Sequence, residues 1–256
     1  MTKLIVFNCF LLFIIFLGLF FSKKHIHSEK GKNRALLLSA LLTILCHYSS
    51  FLFLFFTGGA ATAYLKDNLN LLLPIYPCNV VMWGCLIYGL IKNKQSKLGL
   101  FLGDYLFWFG IFSTLVGMFA NVDFIVNPTL ADYEVTKSIL AHATLLFNIL
   151  LIYAFGNIKV ALVKNMAHMA LSVLLMYVIG LYCNKLIEIL ASAQEASDTN
   201  SMFLLHSPFP SIPYLTYPTI AGCSLVLYFI LFFLWEFFAY PKGKRWFNST
   251  KPTLPE

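Results

Sequence analysis

Two side-chain types that can carry out acyl chemistry together occur inside apolar stretches of this chain. Cys78 lies in the run Leu73-Pro74-Ile75-Tyr76-Pro77-Cys78-Asn79, and His142 follows Ala141 further along. A cysteine thiolate attacks ester carbonyls, and a histidine within hydrogen-bond reach can take its proton and later return it. Proline is accepted in a first helical turn, so Pro74 is expected to open a helix with Cys78 one turn on. Helix N-termini favour negative charge through the dipole and the unpaired amides. Apolar burial opposes that charge, so a base is still required, and His142 is the candidate. A structural reading competes with the catalytic one. Met82, Cys85 and Gly89 continue the same helical face, and small or soft residues there also serve close helix packing.

Other ionisable groups share these apolar stretches: His47, Asp104, His168, Lys185, Glu188 and Glu236. Such groups are costly in hydrocarbon and face a bundle interior or a wet cavity. Glu236 precedes Tyr240-Pro241-Lys242 by one turn and is expected to reach toward the interface. His168 is expected at the same interface, and Lys185 and Glu188, three apart, are expected to pair on one helix face. At 1.5 Å per residue, Cys78 lies roughly 12 Å, His142 roughly 8 Å and His47 roughly 15 Å from one end of their segments. Asp104 belongs to the other half.

The elements that must hold these groups are membrane helices. Of 256 residues, 59% are hydrophobic and 11% charged, with a mean hydropathy of +0.78. Soluble domains carry roughly 25% charged residues, so a soluble globular domain and a disordered chain are both excluded. Apolar segments at 4–21, 35–57, 71–91, 98–120, 137–156, 166–190 and 217–239 predict an all-α, seven-transmembrane-helix bundle in one polytopic domain, 1–256. The first segment is read as a retained helix, because Ser22-Lys23-Lys24-His25 follows it in place of a cleavage site.

Charge orients the bundle. Fourteen of the 18 basic residues fall in 22–34, 92–97, the 157–165 connection and the tail after Tyr240; Lys3, Lys66, Lys137 and Lys185 do not. The positive-inside rule then places the N-terminus outside and the C-terminus in the cytoplasm, a multi-pass protein of the cell membrane. The net charge of +7 is therefore no sign of a nucleic-acid partner; membrane lipids are the partners expected. The opposite loops carry Asp67, Asp123, Asp132, Glu134, Glu195 and Asp198, and the longest, 191–216, is rich in proline and aromatics. It either lies on the rim of the bundle or covers an opening between helices. The six cysteines form no C-x-x-C pair, so neither a disulfide framework nor a structural zinc site is expected.

The run from Leu73 to Asn79 resembles the LPLHLCN-type motif of YwaF-like integral membrane proteins. The likeness continues at Ala141-His142 and at Asn200-Ser201-Met202-Phe203-Leu204, which is similar to that family's N-Y-x-(F/Y)-L segment. The family includes the vertebrate transmembrane acyltransferase that forms polyunsaturated ether phospholipids. The resemblance implies a nucleophile at Cys78 and a base at His142. The motif's histidine is replaced here by Tyr76, which bears on activity or substrate.

The favoured expectation is a lipid acyltransferase or hydrolase working through an acyl thioester on Cys78, with His142 as base. His47, Tyr76, Asn79 and Asn200 are candidates for the surrounding cleft. No cofactor and no metal are expected: the last segment has neither the lysine of a retinal protein nor the histidines of seven-helix zinc hydrolases. The alternative is a non-enzymatic membrane protein, acting as a scaffold, a partner subunit or a small-lipid carrier.

Overall fold

A computed structural model describes residues 2–61, 72–119, 129–190, 200–207 and 212–248. Among them the chain forms eight α-helices. These are α1 (Thr2–His25), α2 (Glu29–His47), α3 (Ser49–Phe56), α4 (Pro77–Leu90), α5 (Lys97–Phe119), α6 (Tyr133–Ala154), α7 (Leu162–Leu190) and α8 (Tyr217–Ala239). Five of them, α1, α5, α6, α7 and α8, are long and apolar enough to cross a membrane. The pair α2–α3 makes a sixth candidate if its two halves count as one span, bent by 67°. With 14 residues, α4 extends only about 21 Å, short of a bilayer core of about 30 Å. The chain is thus an all-α, multi-pass membrane protein.

The bend interrupts the straight helix expected over 35–57. α2 stops at His47 and α3 restarts at Ser49. The Ser49 hydroxyl donates to the Cys46 carbonyl at 2.8 Å and accepts from the Tyr133 hydroxyl at 2.8 Å. The Ser50 hydroxyl donates to Glu134 at 2.7 Å and accepts from Lys137 at 3.0 Å. A serine pair tied to a neighbouring helix start is a recognised cause of a sharp kink.

Close packing centres on α4, α5 and α6. A Cβ on Gly110 of α5 would lie 3.1 Å from Val81 of α4 and 2.6 Å from Ile149 of α6, so three helices meet over one missing side chain. Small residues at such crossings let backbones approach where lipid supplies no hydrophobic drive. Around the crossing Leu106, Tyr105, Tyr88, Cys85, Met82 and Leu145 are buried.

With no water at this depth, polar side chains find main-chain acceptors. Asn148 of α6 donates to the Leu36 carbonyl of α2 at 2.7 Å, and Asn8 of α1 donates to Met118 of α5 at 2.6 Å. Tyr228 of α8 donates to Trp108 of α5 at 2.5 Å. Outside the spans, Lys94 folds back over the end of α4 and donates to the carbonyls of Tyr88 and Ile91, a C-terminal cap. Burial lowers the pKa of that ammonium.

Asn148→Leu removes an interhelical bond and is expected to lower unfolding stability in mixed micelles by about 1 kcal/mol. An unchanged denaturation midpoint would mean that this bond does not hold α2 to α6.

Candidate functional site

The helix carrying Cys78 starts later than the sequence suggests. Pro77, not Pro74, occupies the first helical position of α4, with Tyr76 as the N-cap residue in extended conformation. Pro74 sits instead inside a tight turn in which the Ile75 amide bonds the Leu73 carbonyl at 2.8 Å. Cys78 is therefore in the first turn itself, where proline at N1 removes an amide that would have no helical partner. Its thiol donates to the Asn79 side-chain oxygen at 3.3 Å, and the Asn79 amide nitrogen donates to the Leu73 carbonyl at 3.4 Å. Asn79 is buried and Cys78 half-buried, so the asparagine links the thiol to the turn behind it.

A strap crosses the start of this helix. Ile75 is buried, and its carbonyl accepts from the Met202 amide at 2.8 Å and from the Ser201 hydroxyl at 3.1 Å. Asn184 of α7 accepts from the Ser201 amide at 2.8 Å. Asn200 is buried and closes the strap on itself, accepting from the Leu205 amide at 2.9 Å and donating to the His206 carbonyl at 2.5 Å. Met202 and Phe203 both adopt positive φ, 55° and 57°. Left-handed backbone costs about 1–2 kcal/mol per ordinary residue, and it persists here because the flanking bonds over-determine it. A Cβ on Gly180 of α7 would stand 2.6 Å from Leu204 and 2.9 Å from Met202; glycine there lets the strap lie down. The Phe203 ring meets Tyr76, centroids 5.9 Å apart. Residues 191–199 and 208–211, and with them Glu195, Asp198 and Phe209, lie outside the described residues, as do Lys66, Asp67, Asp123 and Lys251.

His142 is fixed in one tautomer. Its Nδ1 lies 2.7 Å from the Ser138 carbonyl. A carbonyl only accepts, so Nδ1 carries the proton and Nε2 of the neutral ring keeps its lone pair. The ring is half-buried and rests on α5, where a Cβ on Gly117 would be 2.2 Å from Nε2.

Helix crossings give the levels. From the crossing at Gly110, Cys78 is three residues (about 4.5 Å) and His142 seven residues (about 10.5 Å) toward the same end of the bundle. From the point where Leu37 of α2 faces Gly89 of α4, His47 and Cys78 are ten and eleven residues along, level to within about 2 Å. The His47 ring packs edge-on against Tyr48 at 4.9 Å. Asp104 lies about 9 Å to the other side of Gly110, as expected of a residue outside this group.

The opposite end holds two sets of bonds between elements. His168, near the start of α7, bonds the buried carboxylate of Asp104 through Nδ1. Glu236 reaches the α7 start and the tail without reaching solvent. It is 5% exposed, accepting from the Leu162 amide at the start of α7 at 2.5 Å and from the Trp246 amide at 2.9 Å. Sequence spacing gave no sign of either bond, because each joins different helices. Lys185 and Glu188 pair at 2.8 Å as their spacing predicts. Among the described residues no group of three His, Cys, Asp or Glu side chains could hold a metal.

The fold and this end of the bundle define a class: a multi-pass α-helical membrane protein with a cysteine in the first turn of a short helix and a strap hydrogen-bonded to the chain just before that turn. The chain belongs to the TMEM164 family, whose family model matches residues 1–236. No curated protein and no solved structure matches it.

Asp104→Leu strands His168 and is expected to lower stability by about 3 kcal/mol, while Asp104→Leu with His168→Leu should recover much of that loss. Thermal melts of the two variants decide it: equal damage from both would show that the pair is not coupled.

Proposed function

We propose that this protein is a membrane lipid acyltransferase or acyl hydrolase in which Cys78 is the nucleophile and His142 the base. The observation that carries the reading is the bond from His142 Nδ1 to Ser138. It leaves Nε2 as the basic atom, at the same end of the bundle as a first-turn thiol. Membership of the TMEM164 family supports the reading, as does the YwaF-like motif around Cys78.

In the proposed reaction, Nε2 of His142 takes the thiol proton as Sγ attacks the ester carbonyl of a membrane lipid. The Cys78 amide is the first-turn donor this reading assigns to the oxyanion, since Pro77 has no N–H and the Asn79 and Val80 amides bond the Tyr76 carbonyl, and helix N-termini favour developing negative charge. Collapse breaks the ester C–O bond, the imidazolium returns its proton to the departing alcohol, and the acyl group stays on Sγ as a thioester. A second lipid alcohol, or water, then loses its proton to Nε2 and attacks the thioester, and the proton restores the thiol. Asn79 and Asn200 position the helix start and the strap. His47 is assigned to a headgroup or to orienting His142, and Tyr76 stands where the resemblance has a histidine. The strap serves as the cover over the acyl site.

Cys78→Ser is expected to abolish acyl exchange at unchanged folding, because a serine hydroxyl is activated poorly by a lone histidine. His142→Ala should do the same. Cys223→Ala, at an exposed position, should be silent. An iodoacetamide-type probe should label Cys78 selectively. Wild-type exchange by Cys78→Ser would refute the thioester, and absent single-site labelling would favour a carrier or scaffold.

We also read the basic asymmetry as seven spans in the cell membrane with the N-terminus outside. Reporter fusions after Tyr240 and within 191–216 should report opposite compartments; a shared compartment would refute that topology.

A further inference from the structure

The end of the bundle away from Cys78 carries a concavity that the proposed reaction does not use. It lies where α1 ends, α2 begins and α6 ends, and is lined by Lys23, Ile26, His27, Lys32, Ala154 and Phe155. These residues sit at or just beyond the ends of membrane-length helices, which is the level of lipid headgroups.

The concavity has an excess of positive charge. Lys32 pairs with Glu29 at 2.7 Å, which offsets one of the two lysine charges and leaves that of Lys23. Lys23 and His27 have no carboxylate partner among the described ion pairs. The α2 N-terminus, capped by Ser28, adds the positive end of a helix dipole.

Apolar surface leads away from the same place. α1 and α2 both pack on α6 yet make little contact with one another. On α6, Phe147 seats against Gly18 of α1, where a Cβ would come within 2.9 Å, and the next residue, Asn148, bonds α2. α6 is thus the floor of a furrow whose walls are α1 and α2. Beside the furrow both helices expose apolar side chains to lipid, Phe20 and Phe21 on α1 and Leu38 and Leu42 on α2.

A small soluble anion would use only the basic end of this feature, whereas a phospholipid uses both parts. We propose that the Lys23–His27–Lys32 concavity binds the phosphate-bearing headgroup of an anionic phospholipid, with its acyl chains in the furrow between α1 and α2. Basic pockets between membrane helices recognise lipid headgroups in this way. The site is independent of the Cys78 reading.

The test is lipid-dependent thermal stabilisation of the full-length protein in neutral detergent. Phosphatidylglycerol should raise the melting temperature and phosphatidylcholine should not. Lys23→Ala with Lys32→Met should weaken the response roughly tenfold in lipid concentration, with the methionine keeping the packed stem. Lys242→Ala with Lys244→Ala removes equal charge from elsewhere at that end and should leave the response intact. Lys23→Arg with Lys32→Arg should retain it, which keeps the test decisive if the neutral variant folds poorly. Equal loss in the Lys242/Lys244 control, an equal response to phosphatidylcholine, or an equal shift with inorganic phosphate alone would each overturn the proposal.

Discussion

The arrangement of this protein depends on the absence of a side chain at Gly110. At that point Val81 and Ile149 press against the backbone of α5 from two sides, and α4, α5 and α6 take their relative heights from the contact. A methyl group there would meet the Ile149 Cδ1 at 2.6 Å and the Val81 Cγ1 at 3.1 Å, so side chains of both neighbouring helices would have to shift in an interior packed as densely as a crystal. The height of Cys78 relative to His142 follows from this crossing, because each is a fixed number of helical residues from it. Neither residue chooses its own level.

The second constraint is the scarcity of water. Side chains that would be solvated in a soluble protein are bonded here to carbonyls of neighbouring helices, as with Asn8, Asn148 and Tyr228. The same rule explains irregular segments. The Asn200–His206 strap leaves helical geometry yet keeps its backbone bonded to Ile75, Asn184 and Asn200, as non-helical backbone near hydrocarbon must. Glu236 belongs with them: a buried carboxylate spent on two amides, one at a helix start and one in the tail.

The two ends of the bundle differ in character. One carries His47, Cys78 and His142, with the strap bonded just before the start of α4. The other gathers lysines, the Asp104–His168 pair and a basic concavity. About 14 Å of helix separates Asp104 from the level of Cys78, so the buried carboxylate cannot serve the thiol directly. In the proposed reaction His142 is oriented by a main-chain carbonyl and not by an acid.

Much was legible in the sequence, because much of it is local. Composition alone determines a multi-pass helical membrane protein, since lipid admits few other solutions for apolar segments this long. Spacing along one helix gave the Lys185–Glu188 pair, and counting residues from span ends put Cys78, His142 and His47 at one end. Proline chemistry placed Cys78 near a helix start but chose Pro74, where Pro77 is the residue at N1; either proline satisfies the local rule. What joins separate helices was not legible. The bend at Tyr48 depends on Glu134 and Lys137, the seat of His142 on Gly117, and the partners of His168 and Glu236 on Asp104 and the α7 start. Helical periodicity fixes which residues share a face, but only packing fixes which face meets which, and that is the physical reason these contacts were left to the tertiary structure.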